Sequence, residues 1–462
     1  MRVHRIINST NGGARRRPEP ALNGRPLTRR SSVQRAPSGE TKDGRSAVIW
    51  FQNHLRLGDH PGLQTVASTQ SIECLTPCYL LDPALLTGLA SRPAGPEVLV
   101  SALTVLREQL RSRGSDLVIR VGPCGNGLRG VIADSYSSMT SGGEIGGTLL
   151  VAEDEIGGAG SRLVAEALRA VSKDTADDED ARRCGGGSTT VVHSWCSPKV
   201  WDRSSFQMNY RLWADSNQRG PPSRPFEAPA SLPPLPLGIT PGDIPTAKQL
   251  RVILRDAYQT SGKNIGSGEL ITLQTRIDDL ASSSLESQLI ASIASSKAEP
   301  SEILSAYLSP VDASNASGPE LRRLHQMVSS AAAALELPSA PGSSFKAILG
   351  PWMELGALSH RQVLEFIAGR IQGDLIPDRV SAAVKAVEVS EFHQRLAAEG
   401  AAAGRPKEVT PAASAGGYLL KPSSSPKVHQ FRWRGVRNGE QCSFYWHIII
   451  GQAGQPVRPS KL

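Results

Sequence analysis

Long apolar runs, clustered cysteines and an acyl-transfer signature are all missing from this chain, and each absence closes off a class of function. No run of eighteen or more apolar residues occurs among the 462 positions, so no segment is built to cross a membrane as a helix. The six cysteines, at 74, 78, 124, 184, 196 and 442, are scattered. Cys74 and Cys78 have a near-metal spacing, but no second Cys or His pair follows at a ligand distance. No metal site is expected, and reduced thiols in an intracellular compartment are. No G-x-S-x-G elbow exists, which removes the serine nucleophile of a hydrolase. Acidic groups are scarce at the start: residues 1–39 hold nine Arg, no Lys and one acid, Glu19. That segment accounts for the whole formal charge of +8, and the remainder is neutral. Arg-rich, Ser-containing and acid-poor is the composition of an organelle transit peptide, removed on import; the alternative is a disordered basic arm that binds nucleic acid. A neutral remainder gives no electrostatic support for DNA binding, because phosphate neutralisation supplies most non-specific affinity.

What is present reads first as alternating strands and helices. AVIWF (47–51) is a short apolar run that suits a strand buried on both faces. Further strands are expected near 76–81, 116–121, 148–153 and 190–195. Between them, Leu99, Leu103, Leu106 and Leu110 recur at three- and four-residue steps and line one helical face. Arg107, Gln109, Arg111 and Arg113 fall on the other side, and Gly114 is a helix stop that tolerates positive φ. Alternation of this kind predicts an α/β domain with a doubly wound parallel sheet over 46–237. Gly125 to Gly130 form a formal G-x-G-x-x-G, but after the third strand instead of the first. A glycine-rich turn leading into a helix is the preferred reading. GGEIGG and residues 175–188 read as a loop insertion. The Pro-rich run 224–239 reads as a stiff exit from the domain. Amphipathic helices are expected over 245–310, an Ala-rich helix over 382–404, and two strands in the aromatic tail. The domains are thus 1–45 leader, 46–237 α/β, 238–404 a smaller and incomplete all-α domain, and 405–462 linker and tail.

Residues 47–63, AVIWFQNHLRLGDHPGL, resemble the opening strand and loop of the photolyase/cryptochrome family. Trp50, Phe51, Asn53, Leu55, Arg56, Leu57, Asp59, Pro61 and Leu63 carry the likeness, while Gln52, His54 and His60 replace the usual Arg, Asp and Asn. Asp82-Pro83 and the stretch 97–122 continue it at family-like spacing. His54 and His60 are expected as loop-packing residues, with a His54–Asp59 pairing as the option.

The resemblance implies a C-terminal helical flavin domain, and residues 342–371 are similar to its phosphate-binding segment T-S-x-L-S-P-W-L-x-x-G-x-L-S-x-R-x-V. Leu349, Pro351, Trp352, Gly356, Leu358, Ser359, Arg361 and Val363 fit, but Lys346 and Ala347 stand for the Thr-Ser pair and Gly350 for the second Ser. Ser343, Ser344, Lys346 and Arg361 are the candidates for the phosphates of FAD. Trp352 and Leu355 are expected to pack inward, each worth about 2 kcal/mol on burial. In an unbroken helix, Arg361 falls on the opposite side from Trp352.

The segments that enclose the flavin ring in the family are not found after Val363. The expected protein is photolyase/cryptochrome-related, keeps the antenna-type α/β domain, and lacks working DNA repair. Its implied ligands are an antenna chromophore, folate or deazaflavin, and FAD only in a divergent site, as in a blue-light photolyase or cryptochrome photoreceptor. Such a protein is expected to bind a small ligand or a protein partner, and the sequence does not name the partner. The tail resembles the entry strands of an α/β hydrolase fused to plant and algal relatives, so a truncated non-catalytic form of such a fusion is the further alternative. The family resemblance implies a chloroplast destination for the leader, with the mitochondrion as alternative.

Overall fold

The computed structural model describes residues 45–86, 89, 92–140, 148–153, 167, 190–195, 198–201, 210, 213, 222–261, 284–310, 318–370, 375–402, 428–437 and 440–449. The expected leader and the 175–188 insertion lie outside them. The first compact unit runs to Gly416, and the second comprises Gly417–Leu462.

Five strands make one sheet: β1 (Arg45–Phe51), β2 (Ile72–Leu81), β3 (Val118–Val121), β4 (Thr148–Glu153) and β5 (Thr190–Trp195). Their order is β3-β2-β1-β4-β5, and every neighbouring pair is parallel. Strand alternation sorts β1 between two cores. Ala47, Ile49 and Phe51 enter one, while Val48 and Trp50 enter the other. Helices α1 (Pro61–Ser68) and α2 (Gly95–Ser112) cover the first face, where Leu99, Leu103, Leu106 and Leu110 are fully buried. Helix α3 (Cys124–Thr140) covers the other with Leu128 and Val131. This is the doubly wound α/β arrangement that the alternation predicts.

Two local expectations are corrected. Arg107 is not on a solvent face: it is buried, donates to the carbonyls of Leu117 and Gly242, and pairs with Asp116 at 3.1 Å. The glycines of 125–130 form no turn either. They lie inside α3, where a Cβ on Gly127 would stand 3.1 Å from Leu80, so that glycine brings the helix close to the sheet. Gly114 follows α2 with φ 93°, as a helix stop requires.

After the sheet, an extended Pro-rich run crosses back over it. Leu232 N–H donates to Arg113 O, and this run accepts from Leu75 N–H at Pro234 and from Ile119 N–H at Pro241. A helical region follows: α4 (Ala247–Ser261), α5 (Leu285–Ser295), α6 (Pro300–Leu308), α7 (Pro319–Leu335), α8 (Ser343–Glu354), α9 (His360–Ala368) and α10 (Pro377–Ala402). Its buried side chains, Trp352, Phe345, Tyr307 and Val387 among them, join the same core as α2 and one face of the sheet. Trp352 and Leu355 are both buried, as expected. In the second unit, β6 (Val428–Arg437) and β7 (Glu440–Ile449) pair as an antiparallel hairpin, which is the two-strand tail expected.

Candidate functional site

Chain order reverses across β1 and β4, and the crevice beyond the carboxyl ends of strands at such a switch point is where doubly wound domains bind ligands. Here that place is built from the loop 52–60, which follows β1, and from Glu153, which ends β4. His54 Nδ1 lies 2.8 Å from Glu153 Oε2, with both side chains buried. The His54–Asp59 option is therefore corrected: Glu153, ninety-nine residues away, takes the imidazole. His60 caps α1, its Nδ1 accepting from Leu63 N–H at 3.2 Å, and its ring meets Phe51 edge-on at 5.0 Å. Gln52 stands first in the loop, and both polar atoms of its carboxamide are buried without a hydrogen-bond partner.

Asp59 organises the second half of the loop. It adopts φ 58°, in the left-handed region that Asp tolerates better than most residues. Its carboxylate accepts from Arg361 through both oxygens and from Phe226 N–H at 3.2 Å. Arg361 also stacks on the Phe226 ring, 4.7 Å from its centroid. Arg56 donates to the carbonyls of Gly356 and Asp59. Burial lowers its pKa to about 10, so it stays charged at neutral pH.

Arg361 reaches this loop because the helix expected through Trp352 is broken. Helix α8 ends at Glu354, Gly356 turns the chain at φ 61°, and Ser359 starts α9. A capping box fixes the new start: Ser359 Oγ accepts from Gln362 N–H, and Gln362 Oε1 accepts from Ser359 N–H. The unbroken-helix placement of Arg361 is corrected accordingly, and the residue is buried against the α/β layer.

The other expected site residues gather at the start of α8. Ser343 Oγ donates to Leu335 O and accepts from Leu337 N–H. Ser344 is buried, bonded to Tyr307 Oη at 2.9 Å and to Glu336. Glu336 also accepts from Gly342 N–H at 2.6 Å and Ser344 N–H at 3.1 Å. Burial raises that carboxyl, but the Ser344 hydroxyl and the two N–H groups outweigh it and hold the pKa below its usual range. Lys346 is exposed. The structure thus brings Ser343, Ser344 and Lys346 to one helix end and leaves Arg361 in the Asp59 network. Glu336 was missed in the sequence, since it lies upstream of the matching segment.

The histidines give the loop a pH dependence. Burial lowers the pKa of His54 against the opposing pull of Glu153, and lowers that of His60 further, helped by His54 and Arg56. His360 falls to about 4, by burial first and then by Arg56 and His54. A folded-state pKa below the unfolded value near 6.5 means that the unfolded chain binds more protons in this window. Stability is therefore complete above pH 6.5 and is lost as pH falls toward 4. Urea unfolding at pH 7.5 and pH 5 should show a loss of at least about 1 kcal/mol. A midpoint that does not move would contradict the assignment of neutral buried imidazoles.

Among the described residues no group of three or more His, Cys, Asp and Glu is placed to hold a metal. Cys74, Cys78 and Cys124 are free thiols, and burial raises Cys78 to about 12. No helix of the described residues is long and apolar enough to cross a membrane.

A doubly wound domain with its loop cluster at the switch point, joined to a helical region, is the class that this geometry defines. Residues 47–139 match the family model described as DNA photolyase. The blue-light photoreceptor PHR2 of Arabidopsis thaliana is 35% identical over 91 residues, which are 19% of this chain and 20% of that protein. The chain thus spans about a fifth of the length of this curated relative. The Synechocystis cryptochrome structure aligns at TM-score 0.46 and 12% identity, covering 77% of this chain and 62% of that one. The archaeal photolyase of Sulfolobus tokodaii aligns at 0.42 and 14%, covering 77% and 60%. Residues 47–139 are thus similar to the photolyase family over about a fifth of the chain.

Proposed function

We propose that this protein keeps its α/β domain as an antenna-type ligand module and does not carry out flavin-driven DNA repair. The observation that carries this reading is the carboxylate at the start of α8. The helix end where the resemblance puts the flavin phosphates gives its N–H groups and the Ser344 hydroxyl to the chain's own Glu336. A helix N-terminus binds anions through such free groups, and a carboxylate already there both uses them and repels a diphosphate. These residues do not fit FAD. The neutral charge of residues 40–462 supports the same reading, because a repair enzyme needs a basic face toward DNA.

The antenna ligand of this reading would sit at the switch point, and the Gln52 carboxamide supports that place. Gln52 offers one amide donor and one acceptor, both buried and unused, and a folate or deazaflavin ring presents the complementary N–H and C=O edge. The full chain should take up a folate or a deazaflavin in equilibrium dialysis, and Gln52→Leu should weaken that uptake about tenfold or more. Under the same conditions FAD should not bind below micromolar concentrations. Sub-micromolar FAD binding, with flavin absorption that survives gel filtration, would favour a light-driven enzyme or photoreceptor with a divergent flavin site.

A further inference from the structure

The second compact unit, Gly417–Leu462, holds a sheet of two strands only, β6 and β7. Their antiparallel register sorts residues by face, because neighbours along a strand alternate and directly paired residues share a side. Phe431 is paired with Trp446 and Trp433 with Phe444, so four aromatic residues fall on one face. Arg432 and Arg434, paired with Tyr445 and Ser443, fall on the other. The hairpin is thus divided by face, aromatic on one and polar and basic on the other. A two-stranded hairpin is marginally stable in water by itself and needs a layer against its apolar face.

Charge indicates what that layer is. Residues 417–462 hold seven Lys and Arg against one acid, Glu440, a net +6. The neutral sum of residues 40–462 conceals this, since residues 40–416 carry −6. An aromatic face opposite a basic one is the pattern of a segment that lies in the interface of an anionic bilayer. There Trp and Phe settle at headgroup level, and Lys and Arg are drawn to the lipid phosphates. Single-stranded nucleic acid is the other anion that aromatic residues attract, through base stacking. A stacking platform needs its cations beside the rings, where the phosphates run. Among the paired positions, Arg437 is the one Lys or Arg on the aromatic face, and it stands opposite Glu440. The segregation favours the bilayer.

We propose that the aromatic face of the β6–β7 hairpin docks on an anionic membrane surface. Phe431, Trp433, Phe444 and Trp446 enter the headgroup layer, and the basic residues of 417–462 meet its phosphates. The attachment is peripheral. It requires neither a helix across the bilayer nor a ligand at the switch point.

Flotation of the full chain with lipid vesicles tests it. Binding to phosphatidylcholine with about three parts in ten phosphatidylglycerol should be at least about tenfold tighter than to phosphatidylcholine alone, and should weaken as salt rises. Phe444→Asp, which sets a charge on the aromatic face, should weaken it by about tenfold. Because that variant also loosens the hairpin, tryptophan fluorescence gives a second reading. Lipids brominated near the headgroup should quench part of the emission of the bound chain. Trp433→Phe with Trp446→Phe should bind as the unaltered chain does yet lose that quenching, since the other five tryptophans lie at or before Trp352. The Arg-rich leader holds no tryptophan, so attachment through it alone would leave the emission unquenched. The proposal is overturned by equal affinity for the two kinds of vesicle, by binding without quenching, or by binding that Phe444→Asp leaves unchanged. Quenching that persists in the phenylalanine variant overturns it too, as does tighter binding of a single-stranded oligothymidylate than of the anionic vesicles.

Discussion

Asp59→Asn should cost about 3–5 kcal/mol of folding stability, measured as a lower urea midpoint of the full chain at unchanged slope. Asn matches Asp in volume and accepts the left-handed backbone at φ 58°, so the effect isolates charge. In the native chain one carboxylate faces two buried guanidiniums, Arg361 through both oxygens and Arg56 at 3.9 Å. The amide would turn a donor toward Arg361 and leave both cations without their nearest counter-charge, since Glu153 is engaged with His54. Removing one partner of a buried ion pair is expensive because the other charge stays desolvated. A loss below about 1 kcal/mol would mean that water reaches the cluster and screens it.

Gly356→Ala should be at least as damaging, with a loss of more than about 3 kcal/mol or no folded protein at all. A Cβ built there stands 1.7 Å from Asn53 O and 2.8 Å from His54 Cα, both backbone atoms. The residue also sits at φ 61°, where a side chain adds strain. Relief by a backbone shift is blocked, because Arg56 holds the Gly356 carbonyl and Leu55 N–H holds Leu355 O. Gly350→Ala is the matched control. It lies inside α8, and its nearest neighbour would be the flexible Lys346 stem at 3.7 Å, so it should stabilise by about 0.5–1 kcal/mol. Equal behaviour of the two variants in thermal unfolding would contradict the close approach between loop 52–60 and the turn after α8.

The sheet was legible because each strand is short, apolar and bounded by polar or turn residues, and because the leucines of α2 repeat at helical spacing. Arg107 was misplaced for a simple reason: periodicity assigns a face to each position, but it cannot see a carbonyl from another segment. Leu117 and Gly242 lie ten and 135 residues away from it and provide the acceptors that make its burial tolerable. The same limit hid the His54–Glu153 pair, whose partners come from the loop after β1 and the end of β4. Arg361 was misread through one residue, Gly356, whose left-handed backbone breaks the helix that spacing alone would continue. Lys346 and Ala347 did signal a changed phosphate segment, yet nothing around Glu336 announces that it folds back on the helix start. A carboxylate six and eight residues upstream of its acceptor-seeking N–H groups carries no periodic mark.

The Pro-rich crossing over β2 and β3 has a consequence for behaviour at high concentration. A strand at the border of a sheet offers a row of free N–H and C=O groups on which another molecule can add its own strand. On the β3 side, Leu75 and Ile119 have already given their N–H groups to Pro234 and Pro241. Prolines have no N–H of their own and cannot pass the ladder outward. The run therefore ends the sheet chemically as well as sterically, and this flank is protected from intermolecular strand addition and the aggregation it seeds.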